Sequence, residues 1–144
     1  MEYLVRRARS SNEMRLYLLE KGFAESAVAD AIDSLTKQGL LDDQKLARDF
    51  ADFRLRNCKG EIAIRRDLAE RGVEDDIIDG AIDSLDKEDV RQAAFKLAMK
   101  AAGRYDSEDP SFFQKVVRYV ASHGFTFEQA QEAAQSAKRK HAGL

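Results

Sequence analysis

Ala31-Ile32-Asp33-Ser34-Leu35 returns as Ala81-Ile82-Asp83-Ser84-Leu85, an identical pentapeptide fifty residues along the chain. The register holds on either side. Met14 falls on Ile64, Leu18 on Leu68, Glu20 on Glu70, Gly22 on Gly72, Phe23 on Val73 and Val28 on Ile78. A weaker third copy follows fifty-two residues further on, with Val116, Val120, Gly124, Phe125, Ala130 and Ala134 in the places of Ile64, Leu68, Gly72, Val73, Ile78 and Ile82. A shared register of apolar positions around three glycines marks a tandem repeat.

Each copy reads as helices. Met14, Leu18 and Leu19 share one helical face, as do Ile64 and Leu68, and Val116, Val117 and Val120. Ser10 with Glu13, and Thr126 with Gln129, have capping-box spacing. Asp109 and Pro110 supply a cap and a first-position proline. Gly22, Gly72 and Gly124 are expected to end their helices in the left-handed conformation, with Phe23, Val73 and Phe125 folding back apolar surface. A second helix carries Ala27, Val28, Ala31, Ile32 and Leu35 in the first copy. A third carries Leu46, Ala47, Phe50, Phe53 and Leu55 after the Gly39-Leu40-Leu41-Asp42-Asp43 turn. Its counterpart in the second copy runs from about Asp86 to Ala102 and stops at Gly103. No alternating β pattern competes.

The expected fold is all-α: tandem three-helix units in an elongated, curved array. The expected division is a partial leading helix within 1–9 (Tyr3 to Ala8), then repeats over 10–58, 59–104 and a shortened 105–144. The apolar stripes are core and not a cofactor pocket.

Composition narrows the function. The 144 residues are 35% charged and 44% apolar, with net charge -2 and a pI near 5.8. That balance suits solvated helical faces and argues against coating nucleic acid through overall charge. Cys58 is the only cysteine, which suits a reducing cytosol and allows no internal disulfide. The charged start Met1-Glu2-Tyr3-Leu4-Val5-Arg6-Arg7 is unlike a signal peptide, and no apolar run approaches the roughly 18 residues of a membrane span. A cytoplasmic monomer with no membrane contact is expected.

Chemistry is hard to find. His123 precedes a helix-ending glycine, where a donor suits the carbonyl end, and His141 lies in the tail. Neither belongs to a metal-spaced cluster, and Cys58 has no histidine nearby. Asp42-Asp43 and Asp75-Asp76 sit at helix starts, where capping and the helix dipole account for them. There is no glycine-rich phosphate loop. No enzyme activity, cofactor or metal is expected.

Charge is unevenly spread. Arg54 to Arg71 holds six basic residues (Arg54, Arg56, Lys59, Arg65, Arg66, Arg71) against three acids, a net +3. Gly72 to Asp89 holds eight acids against Lys87, a net -7. Arg6, Arg7 and Arg9 open the chain, and Lys138, Arg139 and Lys140 come near its end. Two readings stand side by side: ordinary solvated faces with acids favoured at helix starts, or a bipolar surface whose basic patches meet phosphate or acidic protein and whose acidic patch meets something else.

These residues bear a family resemblance. The run Arg6-Arg7-Ala8-Arg9-Ser10, with Glu13-Met14, Leu18 and Lys21-Gly22-Phe23, resembles the opening of RecX, the bacterial regulator of the RecA recombinase. So do Gly39-Leu40-Leu41-Asp42-Asp43 with Ala47, Phe50 and Arg54, then Ile64-Arg65, Leu68 and Arg71-Gly72-Val73, and finally His123-Gly124-Phe125. The resemblance covers nearly the whole chain. It implies tandem three-helix units, binding along the groove of the RecA–DNA filament, and modulation of recombinase and ATPase activity, with inhibition the expected direction. It also implies a place in DNA repair, recombination and the SOS response, and some direct contact with single- or double-stranded DNA.

One segment departs. The family's Lys/Arg-Gly-Tyr-Gly-Pro stretch is replaced by Asn57-Cys58-Lys59-Gly60-Glu61, without the aromatic and the proline. With the low pI, this favours recombinase contact over DNA contact, which is expected to be weak. The candidate contact residues are Arg54, Arg56, Lys59, Arg65 and Arg66, with Arg6, Arg7 and Arg9 secondary. Two other readings compete: a helical scaffold for a different protein partner, and a helix–turn–helix DNA binder built on Gly22-Phe23 or Gly72-Val73. The second helix of each such pair is acidic, which weighs against the DNA binder.

Overall fold

The computed structural model of the chain describes residues 8–143. Those residues form eight α-helices and no strand: α1 (Ser11–Glu20), α2 (Glu25–Lys37), α3 (Asp43–Arg56), α4 (Glu61–Glu70), α5 (Asp75–Asp83), α6 (Lys87–Ala102), α7 (Phe112–Ser122) and α8 (Phe127–His141). The leading helix expected over Tyr3 to Ala8 falls, apart from Ala8, outside the described residues.

The helix boundaries follow from local chemistry. Both capping boxes form: the Ser10 hydroxyl accepts from Glu13 N while Glu13 accepts from Ser10 N, and Thr126 and Gln129 do the same for α8. Gly22, Gly72 and Gly124 take positive φ values of 93°, 76° and 94°, as expected of left-handed helix ends. At Gly22, the N–H donates to Leu19 O and the Phe23 N–H to Leu18 O, the paired bonds of a Schellman turn. Gly72 with Val73 repeats the pattern on Ala69 O and Leu68 O. The helix expected to start at Asp109-Pro110 begins later, at Phe112. Asp109 instead closes a turn, accepting from the N–H and hydroxyl of Ser111 and from Lys115 Nζ. A carboxylate that satisfies its own turn two residues on competes with helix initiation.

The chain forms two compact units. One holds the residues up to Phe53 together with Arg65–Ser84. Its core is built by Val28 of α2, Leu46, Ala47 and Ala51 of α3, Leu68 of α4, and Ile78 and Ala81 of α5. Within it α1 contributes no buried residue and α2 only Val28. The other unit holds Arg54–Ile64 and the residues from Leu85 onward. Here α6, α7 and α8 pack on one another. The buried face of α8 is Ala130, Ala133, Ala134 and Ala137, at helical spacing. Alanine lets helix axes approach closely, so the larger Val116, Val117 and Val120 of α7 and Leu97 of α6 fill the space between.

Candidate partner-binding surface

The basic candidates divide between the two units. Arg54, Arg56 and Lys59 belong to the unit of α6–α8; Arg9, Arg65 and Arg66 belong to the other. Arg6 and Arg7 lie outside the described residues.

Arg54 and Arg56 occupy the last turn of α3, where cations complement the carbonyl end. Arg56 is exposed, and Arg54 and Lys59 are half-buried. The turn that carries them is another Schellman turn. Cys58 N–H donates to Leu55 O at 2.8 Å and Lys59 N–H to Arg54 O at 3.0 Å. The left-handed position is filled by Cys58 at φ 58°, the one described non-glycine residue with positive φ.

In the other unit, Arg65 and Arg66 are exposed on α4. Arg65 Nη1 lies 2.6 Å from Asp79 Oδ1 on α5, and Arg66 Nε lies 3.4 Å from Asp67 Oδ1. The basic block and the acidic block therefore meet across α4 and α5. Exposed pairs of this kind contribute little to stability and exchange readily for other partners. Arg9 places its guanidinium 4.2 Å from the centre of the Tyr17 ring, and Lys21 Nζ lies 5.4 Å from the same ring.

Sequence reading missed a polar clamp in this unit. Arg71 Nη2 lies 2.8 Å from Glu13 Oε1, and Arg71 also donates to the Ala8 carbonyl. The fully buried Ser10 hydroxyl donates to Arg71 O at 2.7 Å. Ser11 N–H donates to Asp43 Oδ1 at 2.8 Å, so Asp43 caps a neighbouring helix as well as opening α3. Burial raises the Glu13 pKa, but the hydrogen bonds from Arg71 and Ser10 and the Arg71 charge outweigh it and leave it below its ordinary value. Ser10 and Glu13 were legible as a capping box; Arg71, 58 residues away, was not.

No group of three or more His, Cys, Asp or Glu side chains is placed to hold a metal among the described residues. His123 Nδ1 lies 2.9 Å from Tyr119 O, the helix-end contact expected of it. No described helix is long and apolar enough to cross a membrane.

Tandem helical units place the chain in the helical-repeat class. Comparison with known proteins narrows the class. The RecX first three-helix domain matches residues 1–35, and the RecX second three-helix domain matches 42–82. The regulatory protein RecX of Chromohalobacter salexigens is 35% identical over 132 residues, covering 90% of this chain and 84% of its own. The regulatory protein RecX of Clostridium perfringens is 33% identical over 123 residues, and the chain spans only 58% of its length. That of Halalkalibacterium halodurans is 31% identical over 135 residues, and the chain spans 51% of it. A crystal structure of RecX from Lactobacillus salivarius superposes with a TM-score of 0.86 at 22% identity, over 94% of this chain and 90% of that one. A crystal structure of regulatory protein RecX gives 0.75 at 26% identity, over 95% of this chain and 66% of that one. The chain belongs to the RecX family of regulatory proteins.

Proposed function

We propose that this protein binds the RecA recombinase on its DNA filament and modulates, in the inhibitory direction, its recombinase and ATPase activity. The observation that carries the reading is the match of both RecX three-helix domains to the repeat that the glycine turns define. Exposed Arg56, Arg65 and Arg66, with Arg9 and Lys59, supply cations for acidic protein surface or phosphate. Arg65 exchanges Asp79 for a partner carboxylate at little cost, because both groups are already solvated. The chain acts by binding alone: it changes recombinase activity only as far as it prefers one filament state over another. Bare DNA is the weaker ligand on this reading, since a net charge of -2 supplies no overall attraction to phosphate.

The test is a titration into RecA assembled on single-stranded DNA, with ATP hydrolysis as the readout. The rate should fall as the protein approaches micromolar concentration. An unchanged rate at micromolar excess rejects the proposal. Arg65→Glu with Arg66→Glu should shift the midpoint at least several-fold to higher concentration.

A further inference from the structure

Each unit contains the same joint between helices. In one, α1 starts against the end of α4: the Ser10 hydroxyl donates to Arg71 O, the Asn12 side chain fills the space a Gly72 Cβ would take, and Glu13 pairs with Arg71. In the other, α4 starts against the end of α7. Gly60 N–H donates to His123 O and Ile62 N–H to Gly124 O, both at 2.9 Å, while Ala63 fills the space of a Gly124 Cβ. The donors Ser10 and Gly60 occupy matching places in the register, as do the acceptors Arg71 and His123, while the Ile62–Gly124 bond and the Glu13–Arg71 pair each belong to one joint. In both joints a positive helix start meets the free carbonyls of a helix end, across a glycine that leaves room for it.

The third copy of the acceptor, at the end of α1, has no such partner. No described residue comes within 4 Å of the Cβ position at Gly22, and none donates to the carbonyls of Lys21 or Gly22. The residue after the glycine records the difference: Phe23 is 56% exposed, whereas Val73 and Phe125 are 5% and 1%. Leu16 on the same helix is also exposed. Lys21 stands where Arg71 stands in the filled joint, and Arg71 binds the first-turn carboxylate of the incoming helix. The carbonyls call for N–H donors, Lys21 for a carboxylate, and Gly22 with Phe23 for a small apolar approach.

The geometry points to the Lys21-Gly22-Phe23 turn as a docking socket for the amino-terminal end of an α-helix of the recombinase, one with a small residue at its cap and a carboxylate in its first turn. The inference rests on the proposed recombinase reading and adds to it the surface and the shape of what enters. Binding there completes the joint that the chain already makes twice within itself.

The experiment uses the full chain and RecA filaments on single-stranded DNA, with affinity read by fluorescence anisotropy of labelled protein. Gly22→Asn keeps a residue that tolerates the left-handed conformation but puts a side chain into the socket. It should weaken binding at least tenfold, and Lys21→Glu at least fivefold. Gly39→Asn is the control: Gly39 has φ 75°, an equally open Cβ position and no place in the joint register, so binding should stay within twofold. If the unaltered protein binds and both socket variants bind equally well, the socket is wrong and the recombinase reading stands. If Gly39→Asn loses as much as Gly22→Asn and Lys21→Glu loses nothing, the loss belongs to the turn conformation and the socket is again wrong. If the unaltered protein does not bind filaments, the recombinase reading and the socket fall together.

Discussion

Gly60 lies so close to Gly124 that a Cβ on it would stand 2.6 Å from the Gly124 carbonyl oxygen and 2.5 Å from the Phe125 nitrogen. Both obstacles are backbone, so no side chain can turn aside. Gly60→Ala should therefore force α4 off its joint and destabilise the protein by about 2–3 kcal/mol, in the range of overpacked sites. Gly80 gives the opposite expectation. It lies inside α5 with nothing within 4 Å of its Cβ position, so Gly80→Ala should stabilise by about 0.5–1 kcal/mol. Urea unfolding followed by circular dichroism reads both.

Cys58 holds the left-handed place of a Schellman turn that glycine fills more easily. Cys58→Gly removes the Cβ strain of that conformation, about 1–2 kcal/mol, and returns part of it as unfolded-state entropy. A net stabilisation of about 0.5–1 kcal/mol is expected. A lower melting temperature for Cys58→Gly would mean that the thiol contributes packing that outweighs the strain.

The Glu13–Arg71 pair gives a pH dependence with a definite sign. Its lowered pKa means that the folded protein holds the Glu13 proton less tightly than the unfolded chain does. The stabilisation is complete above the ordinary value of 4.5 and is lost as pH falls through the lower folded value. Glu13→Gln should cost about 1–2 kcal/mol at pH 7, the size of a partly exposed charged hydrogen bond. The gap between the two proteins should close as pH drops from 5 toward 3. A gap that stays constant over that range would show that shape, and not charge, makes the contact.

The residues after the first and last of these glycine turns, Phe23 and Phe125, should differ sharply in cost. Phe125→Ala empties a buried site and should destabilise by about 3–5 kcal/mol. Phe23→Ala removes a side chain that is mostly in water, so about 0.5 kcal/mol or less is expected. Thermal melts of the two variants check this directly.

The glycine turns and both capping boxes were legible because their chemistry is local: a left-handed residue and a side chain three positions from its amide leave a mark in a short window. Family identity was legible for the same reason, since the turns carry it. The phase of the repeat was not. A fifty-residue register has no preferred starting point, and the second family match, 42–82, groups α3 with the α4–α5 pair that follows it. The late start of α7 escaped because Asp109 suits a turn as well as a cap. The Arg71 clamp and the Asp43–Ser11 bond escaped because their partners are distant in sequence, and nothing local distinguishes Arg71 from its basic neighbours. The basic candidates were read from composition along the chain, which says nothing of the division that places Arg56 and Lys59 in one unit and Arg65 and Arg66 in the other.

The Ser10–Arg71 bond also sets an order of events during synthesis. Helix α1 leaves the ribosome with its capping box ready, yet its final seat is a carbonyl 61 residues downstream. Until that carbonyl emerges, α1, ten residues long and marginal in isolation, has only α2 and the Asp43 carboxylate that accepts from Ser11 N–H to hold it. The capping box of α1 is therefore fully seated only after α4 has been made.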